Sequence, residues 1–150
     1  MSNPLVFTDR SPRTGLPYLF AAQAQKEVTV NEAIARIDAM LSPCVEGESS
    51  SATADPVEGE CWIVGEGADG IWSGHDGELA IFTAGAWLFA APQPGMRIFD
   101  RSTTAHRIWI DGWRSPTLPH EPTGGATIDV EARAALADLV ANLRAMGMGT

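Results

Sequence analysis

Residues 78–90 read ELAIFTAGAWLFA. Two short apolar runs, Leu79–Phe82 and Ala86–Ala90, flank the turn pair Ala84-Gly85. Runs this short on either side of a tight turn predict a β-hairpin. The pattern continues outward. Cys61–Val64, Met96–Phe99 and Arg107–Ile110 are further short runs, set apart by Asp69-Gly70, Asp76-Gly77, Pro92 to Gly95 and Asp111-Gly112. Short strands at close, regular spacing predict a small antiparallel β-sheet, meander or barrel-like domain over residues 57–116. All 5 tryptophans fall inside it. GADGIW (67–72), TAGAW (83–87) and WIDGW (109–113) each set a turn glycine shortly before a tryptophan. This echo reads as repeated hairpins with an aromatic after each turn; a tandem carbohydrate-binding repeat is the sharper alternative.

Helical segments flank this part, so the fold class is α+β. Val30, Ala33, Ile34, Ile37, Met40 and Leu41 recur at helical spacing and make one apolar stripe, predicting an amphipathic helix over 29–41. Thr29 with Glu32 three residues on fits a capping box, and Ser42-Pro43 ends the helix. Ahead of it, Pro4, Pro12 and Pro17 favour an extended arm over residues 1–20, with apolar pieces suited to lying across a neighbour. Residues 1–45 thus read as an arm-and-helix unit for assembly and attachment. A Ser-rich link, 46–56, separates it from the β part, and a Pro/Gly linker, 117–127, follows. A C-terminal helix is expected over 128–147, with Asp129 near its start, where the helix dipole favours a carboxylate. Ala132, Leu136, Leu139, Leu143 and Met146 follow the alternating steps of an a/d seam. Packing on the chain's own sheet and pairing with another chain both explain that seam.

The net charge is -9, and no Lys or Arg lies between Arg36 and Arg97. This argues against nucleic-acid binding, which needs clustered basic residues. Arg97, Arg101, Arg107 and Arg114 form one local basic exception. No apolar run approaches the roughly 18 residues of a spanning helix, so no membrane insertion is expected. Residues 1–15 carry no signal-peptide pattern, which predicts synthesis in a cytoplasm. Cys44 and Cys61 form no CxxC and read as two free thiols.

Gly65, Gly67 and Gly70 match GxGxxG, but IWSGHDGELAIF follows with no helical period, so these glycines make turns. No His or Cys spacing suits zinc, and no nucleophile elbow accompanies His75-Asp76. No catalytic residue, metal or cofactor is expected. A carboxylate pair for glycoside cleavage needs two positions that sequence alone does not single out among the acidic residues of 46–78. For contact with a sugar, Trp72, His75, Asp76, Trp113 and Arg107 are the candidates, with Trp72 and Trp113 beside polar turns and Trp62 buried within CWIV.

The stretch before the first helix is unusual. Lys26, the chain's single lysine, stands with Gln23 and Gln25 just ahead of the apolar stripe. With Asn31 they are candidates for a structural junction that satisfies backbone groups of the arm or of a neighbouring chain. Gln23-Ala-Gln-Lys-Glu-Val-Thr29, Asn31-Glu-Ala33 and Arg36-Ile-Asp38 also resemble the signature of a phage-derived structural family of uncharacterised function. The resemblance continues through Gly59–Val64 and Trp87–Gly95 and spans roughly residues 16–115. The family has an aromatic residue where this chain has Met96. Its members are similar to tail-fibre or spike proteins and to head-spike proteins of gene transfer agents. The resemblance implies a non-enzymatic structural subunit of a phage-like particle, forming a homotrimer with other capsid, spike or fibre proteins as partners. It implies a receptor-binding spike that helps attachment to host surface polysaccharide. A stand-alone carbohydrate-binding module or surface-polysaccharide depolymerase is the rival. Residues 1–45 are then expected to attach and oligomerise, 58–115 to meet the host envelope, and Leu136, Leu139, Leu143 and Met146 to form an oligomer seam.

Overall fold

The computed structural model describes residues 10–13, 16–19, 26–120, 122–125 and 129–149, and of Lys26 and Glu27 the backbone alone. The class is α+β. Helix α1 (Lys26–Leu41) precedes strands β1 (Cys44–Val45), β2 (Glu48–Ser49), β3 (Cys61–Val64), β4 (Leu79–Thr83), β5 (Ala86–Ala90), β6 (Arg97–Asp100), β7 (Ala105–Trp109) and β8 (Trp113–Arg114), and helix α2 (Val130–Ala145) closes the order. The strands divide into two open four-stranded sheets, β2-β3-β4-β5 and β1-β6-β7-β8, rather than closing into a barrel.

The stretch 78–90 is the β4–β5 hairpin, with Leu79 opposite Ala90, Ile81 opposite Leu88 and Thr83 opposite Ala86. Ala84 and Gly85 both take positive φ, 53° and 74°, as a two-residue hairpin turn of the favoured hand requires. Left-handed backbone is costly for alanine. Glu58 braces it, its carboxylate accepting from Ala84 N (3.0 Å) and Gly85 N (2.9 Å).

Two expectations change here. The sheets are mixed, because β1 runs parallel to β6 and β2 parallel to β3. Both of these edge strands come from the helix end and the Ser-rich link. Cys44–Ser49 enters one sheet at its start and the other at its finish, and Glu46 N to Cys61 O (2.8 Å) and Ile63 N to Gly47 O (2.9 Å) carry the ladder between. The first part of the link is therefore lattice, not spacer.

The main core lies between α1, the arm and the two sheets. Tyr18, Ala35, Ala39, Val45, Ile63, Ile81, Leu88 and Ile98 meet there. A second cluster covers the far face of the first sheet, where Trp72 packs with Val64, Ala68 and Ala80. Strand β4 is buried on both faces by this arrangement, which explains why LAIFT reads as a continuous apolar run rather than an alternation.

Thr29 lies inside α1 (Lys26–Leu41), so the expected capping box does not form. Glu32 instead pairs with Arg36 across one turn at 3.1 Å. The apolar stripe also sits differently from that of an ordinary core-packed helix. Asn31, Ala35, Asp38 and Ala39 are buried, whereas Val30, Ala33, Ile37 and Leu41 are exposed. Small Ala35 and Ala39 let the helix backbone approach the core closely. α2 begins at Asp129, whose carboxylate accepts from Ala132 N at 2.9 Å and caps the helix. It ends in a Schellman motif, Met148 N to Leu143 O (3.0 Å) and Gly147 N to Arg144 O (2.9 Å).

Candidate functional site

The arm is fastened to the inward face of α1 by polar groups. Asn31, 2 % exposed, accepts from Leu19 N (2.8 Å) and donates to Leu19 O (3.0 Å). A side-chain amide thus replaces a strand partner for one residue of the arm. Asp38, also buried, accepts from Arg13 N at 3.0 Å. The Arg13 guanidinium donates to Ala39 O (3.0 Å) and Ser42 O (2.9 Å). Those carbonyls are the unpaired acceptors at the end of α1, and a cation there also suits the helix dipole. Of the expected junction, Asn31 makes such contacts. Gln23, Gln25 and the Lys26 side chain lie outside the described residues. Arg13 and Asp38 belong to the same junction; Asp38 lies in the signature stretch but was not singled out for the junction, and Arg13 carried no distinctive sequence signal.

With its polar face turned to the arm, α1 presents apolar side chains to solvent. Ile37 is 52 % and Leu41 59 % exposed. On α2, Val140 is the buried side chain. Leu136, Leu139 and Met146 are exposed, Leu139 at 54 %, and Leu143 is half-buried. The α2 seam therefore does not dock on the chain's own sheets. Each helix is about 24 Å long at 1.5 Å per residue, so two outward apolar faces of like length stand on one chain.

The residues expected to meet a sugar do not form one face. Trp72 is fully buried, which corrects the expectation that it is exposed beside its turn. The Gly70–Trp72 turn tucks it under the sheet, edge-on to Trp87 at 5.0 Å. Trp62, expected inside, is half-buried, and its Nε1 donates to Glu60 at 2.6 Å. Asp76 is a loop staple, accepting from Gly67 N (3.0 Å) and Ala68 N (3.2 Å). His75 stacks on Phe89 at 3.7 Å and meets Glu78 at 2.8 Å. Arg107 is engaged internally, with Asp100 at 2.6 Å and Glu48 at 2.7 Å. Burial pushes the Asp100 carboxyl up, but the Ser102 hydroxyl and the Arg107 charge outweigh it and hold it below the usual carboxylate range. The structure does bring the 74–78 turn to the 109–113 hairpin. Trp113 Nε1 donates to Gly77 O at 3.0 Å, and the Trp109 ring lies over Gly77 and edge-on to Trp113 at 5.3 Å. Trp109, half-exposed at that hairpin, was not singled out by sequence, although the WIDGW echo contains it.

A polar cavity of about 930 Å³ opens between the arm, α1 and the sheets, lined by Arg13, Glu46, Glu58, Glu60, Trp62 and Arg101 among others. Its charges hold the fold. Glu46 pairs with Arg101 at 2.6 Å, Glu58 braces the β4–β5 turn, and Glu60 accepts from Val57 N (2.8 Å), Thr53 (2.8 Å) and Trp62. Burial raises the Glu60 carboxyl, yet these three donors outweigh it and leave it below the usual range. Among the described residues no group of three His, Cys, Asp or Glu could hold a metal ion, and no helix is long and apolar enough to cross a membrane.

Residues 30–114 match the family described as Protein of unknown function (DUF2793), which is more than half of the chain. The chain belongs to the DUF2793 family. The DUF2793 stretch opens within α1 and closes at Arg114, the last residue of β8. It takes in both sheets, the outward face of α1, and the Asn31 and Asp38 contacts. The α2 seam lies outside it. No curated protein matches the chain in sequence.

Proposed function

We propose that this DUF2793 protein is a non-enzymatic structural subunit of a phage-like particle, a head-spike or fibre component that assembles with copies of itself. The observation that carries the reading is the pair of outward apolar helix faces. A chain that turns Asn31 and Asp38 inward and leaves Ile37 and Leu41 outside has a helix better suited to an interface than to a monomer's surface. The a/d spacing of Leu136, Leu139, Leu143 and Met146 supports the same reading for α2. The number of copies, three, and the partners, capsid or fibre proteins, follow from the resemblance to phage spike proteins. Contact with host surface polysaccharide belongs to the same proposal. The half-exposed Trp109 and Trp113 at the hairpin beside Gly77 favour that end of the second sheet over the buried Trp72. The polysaccharide contact alone would also suit a stand-alone carbohydrate-binding module.

The test is the mass in solution. Light scattering at micromolar concentration should give three chains. Ile37→Asp and Leu139→Asp, both at exposed positions, should each lower that mass while tryptophan fluorescence stays native. A wild-type monomer across the micromolar range would refute assembly through these faces. Glycan binding that survives Trp109→Ala and Trp113→Ala would remove the hairpin as the contact.

A further inference from the structure

The outer face of the β1-β6-β7-β8 sheet carries a groove of about 550 Å³. Register sets its floor. Side chains opposite one another in paired strands share a face, so Cys44, Phe99 and His106 form one row and Arg97 with Ile108 the next. The intervening Ile98, Asp100 and Ala105 turn to the core and are buried. Pro43 supplies one wall, and Pro116 with Met148 the other. The Gly147 backbone fixes that second wall, because its carbonyl accepts from His106 N at 2.7 Å.

Two features distinguish the groove. Among the described residues no carboxylate lines it, in a chain of net charge -9. Arg97 is exposed there and has no ion pair among the described residues. Arg36, Arg101, Arg107 and Arg114 all face carboxylates. Arg107 also lines the groove but is held by Asp100 and Glu48, so a mostly apolar trough of this volume offers Arg97 as the guanidinium left for a ligand, the make-up of a small-molecule site. The register gives it direction, with a guanidinium in one row and Phe99 and Cys44 in the next.

We propose that this groove binds a small amphiphilic carboxylate of the medium-chain fatty-acid type. Its carboxylate sits on the Arg97 guanidinium, a pairing that is charge-assisted and able to be bidentate. Its hydrocarbon chain runs over Ile108, Phe99 and Cys44, between Pro43 and Met148, and leaves water there. The acidic surface elsewhere repels such an anion, which directs it to this face. The site is separate from both helix seams and stands whether or not the protein assembles.

Decanoate, below its micellar concentration, is the probe, and decanol its uncharged twin. Cys44 also lines the polar cavity, where its Sγ accepts from Arg101 Nε at 3.1 Å, so the readout is not its alkylation but calorimetry on the native full-length chain, which should find decanoate binding more tightly than decanol. Arg97→Gln should weaken decanoate by about 10- to 100-fold, the worth of one charged hydrogen-bonded contact, and leave decanol unchanged. Arg97 is exposed and has no ion pair among the described residues, so native tryptophan fluorescence in the variant separates lost binding from lost folding. Equal affinity for decanoate and decanol, no binding of decanoate at millimolar concentration, or an Arg97→Gln variant that binds it as wild type would each overturn the proposal.

Discussion

Asp100→Asn tests the buried ion pair between β6 and β7. The Asp100 side chain is 0 % exposed and meets Arg107, 16 % exposed, at 2.6 Å. Its other oxygen accepts from Ser102 N (2.9 Å) and Ser102 Oγ (2.6 Å). Asparagine can keep the Ser102 contacts but sets an N–H donor against the guanidinium. Removing one partner of a buried pair costs about 3–5 kcal/mol, mostly because the remaining charge is stranded. Arg107 still has Glu48 at 2.7 Å, so the expected loss sits at the lower end, about 3 kcal/mol. For a chain of 150 residues that is a fall of about 6–12 °C in Tm. Urea unfolding followed by tryptophan fluorescence measures it directly. The pH dependence supplies an internal check. The folded carboxyl lies below its unfolded value, so its stabilisation is fully present above the unfolded pKa of about 4. It is lost as pH falls through the folded value. The gap between wild type and variant should hold from pH 7 to about 5 and close in strong acid. A loss under about 1 kcal/mol at pH 7, or a gap that does not narrow in acid, would refute the assignment of Asp100 and Arg107 as a buried structural pair.

Other expectations concern single contacts. Asn31→Ala removes both hydrogen bonds to Leu19 and should cost about 1–3 kcal/mol, with faster proteolysis in the arm. An unchanged cleavage rate would disconnect Asn31 from arm docking. Gly147→Ala meets a positive φ of 67° and a Phe99 carbon at 3.1 Å. It should cost about 1–2 kcal/mol from the left-handed backbone alone, read by the same urea titration. In native protein at pH 8, alkylation followed by mass spectrometry should label Cys44 and spare Cys61 until urea is added, since desolvation raises the Cys61 thiol to about 12. Equal labelling of both would contradict the burial of Cys61.

The hairpin at 78–90 was legible because turn glycine and apolar runs agree at the local level. Helix α2 was legible through the spacing of Leu136, Leu139 and Leu143 and the carboxylate of Asp129 near its start. The short strands β1 and β2 were not, since two residues each leave no period and their sequence, CV and ES, is ordinary for a link. Periodicity located α1 but did not say which face is buried. That choice was made by the arm, whose Leu19 and Arg13 backbone groups need Asn31 and Asp38, a long-range demand that no window of sequence contains. The same limit applies to the candidate site residues. A tryptophan after a turn glycine is equally compatible with Trp72, folded under the sheet, and Trp109, left half-exposed at a hairpin. Arg107 looked free in a basic stretch because its partners, Asp100 and Glu48, approach from two other strands.

The segment Cys44–Ser49, shared between the sheets, couples their fates. Opening it would strip an edge from β6 and an edge from β3 together, so neither sheet can melt while the other keeps its full ladder. Amide hydrogen exchange should accordingly find one slowly exchanging set spanning β3, β4, β6 and β7, not two sets with separate free energies. Mechanical load follows the same logic. A pull entering through either sheet is passed across this common thread to the other, and the whole resists as one piece instead of peeling apart in halves.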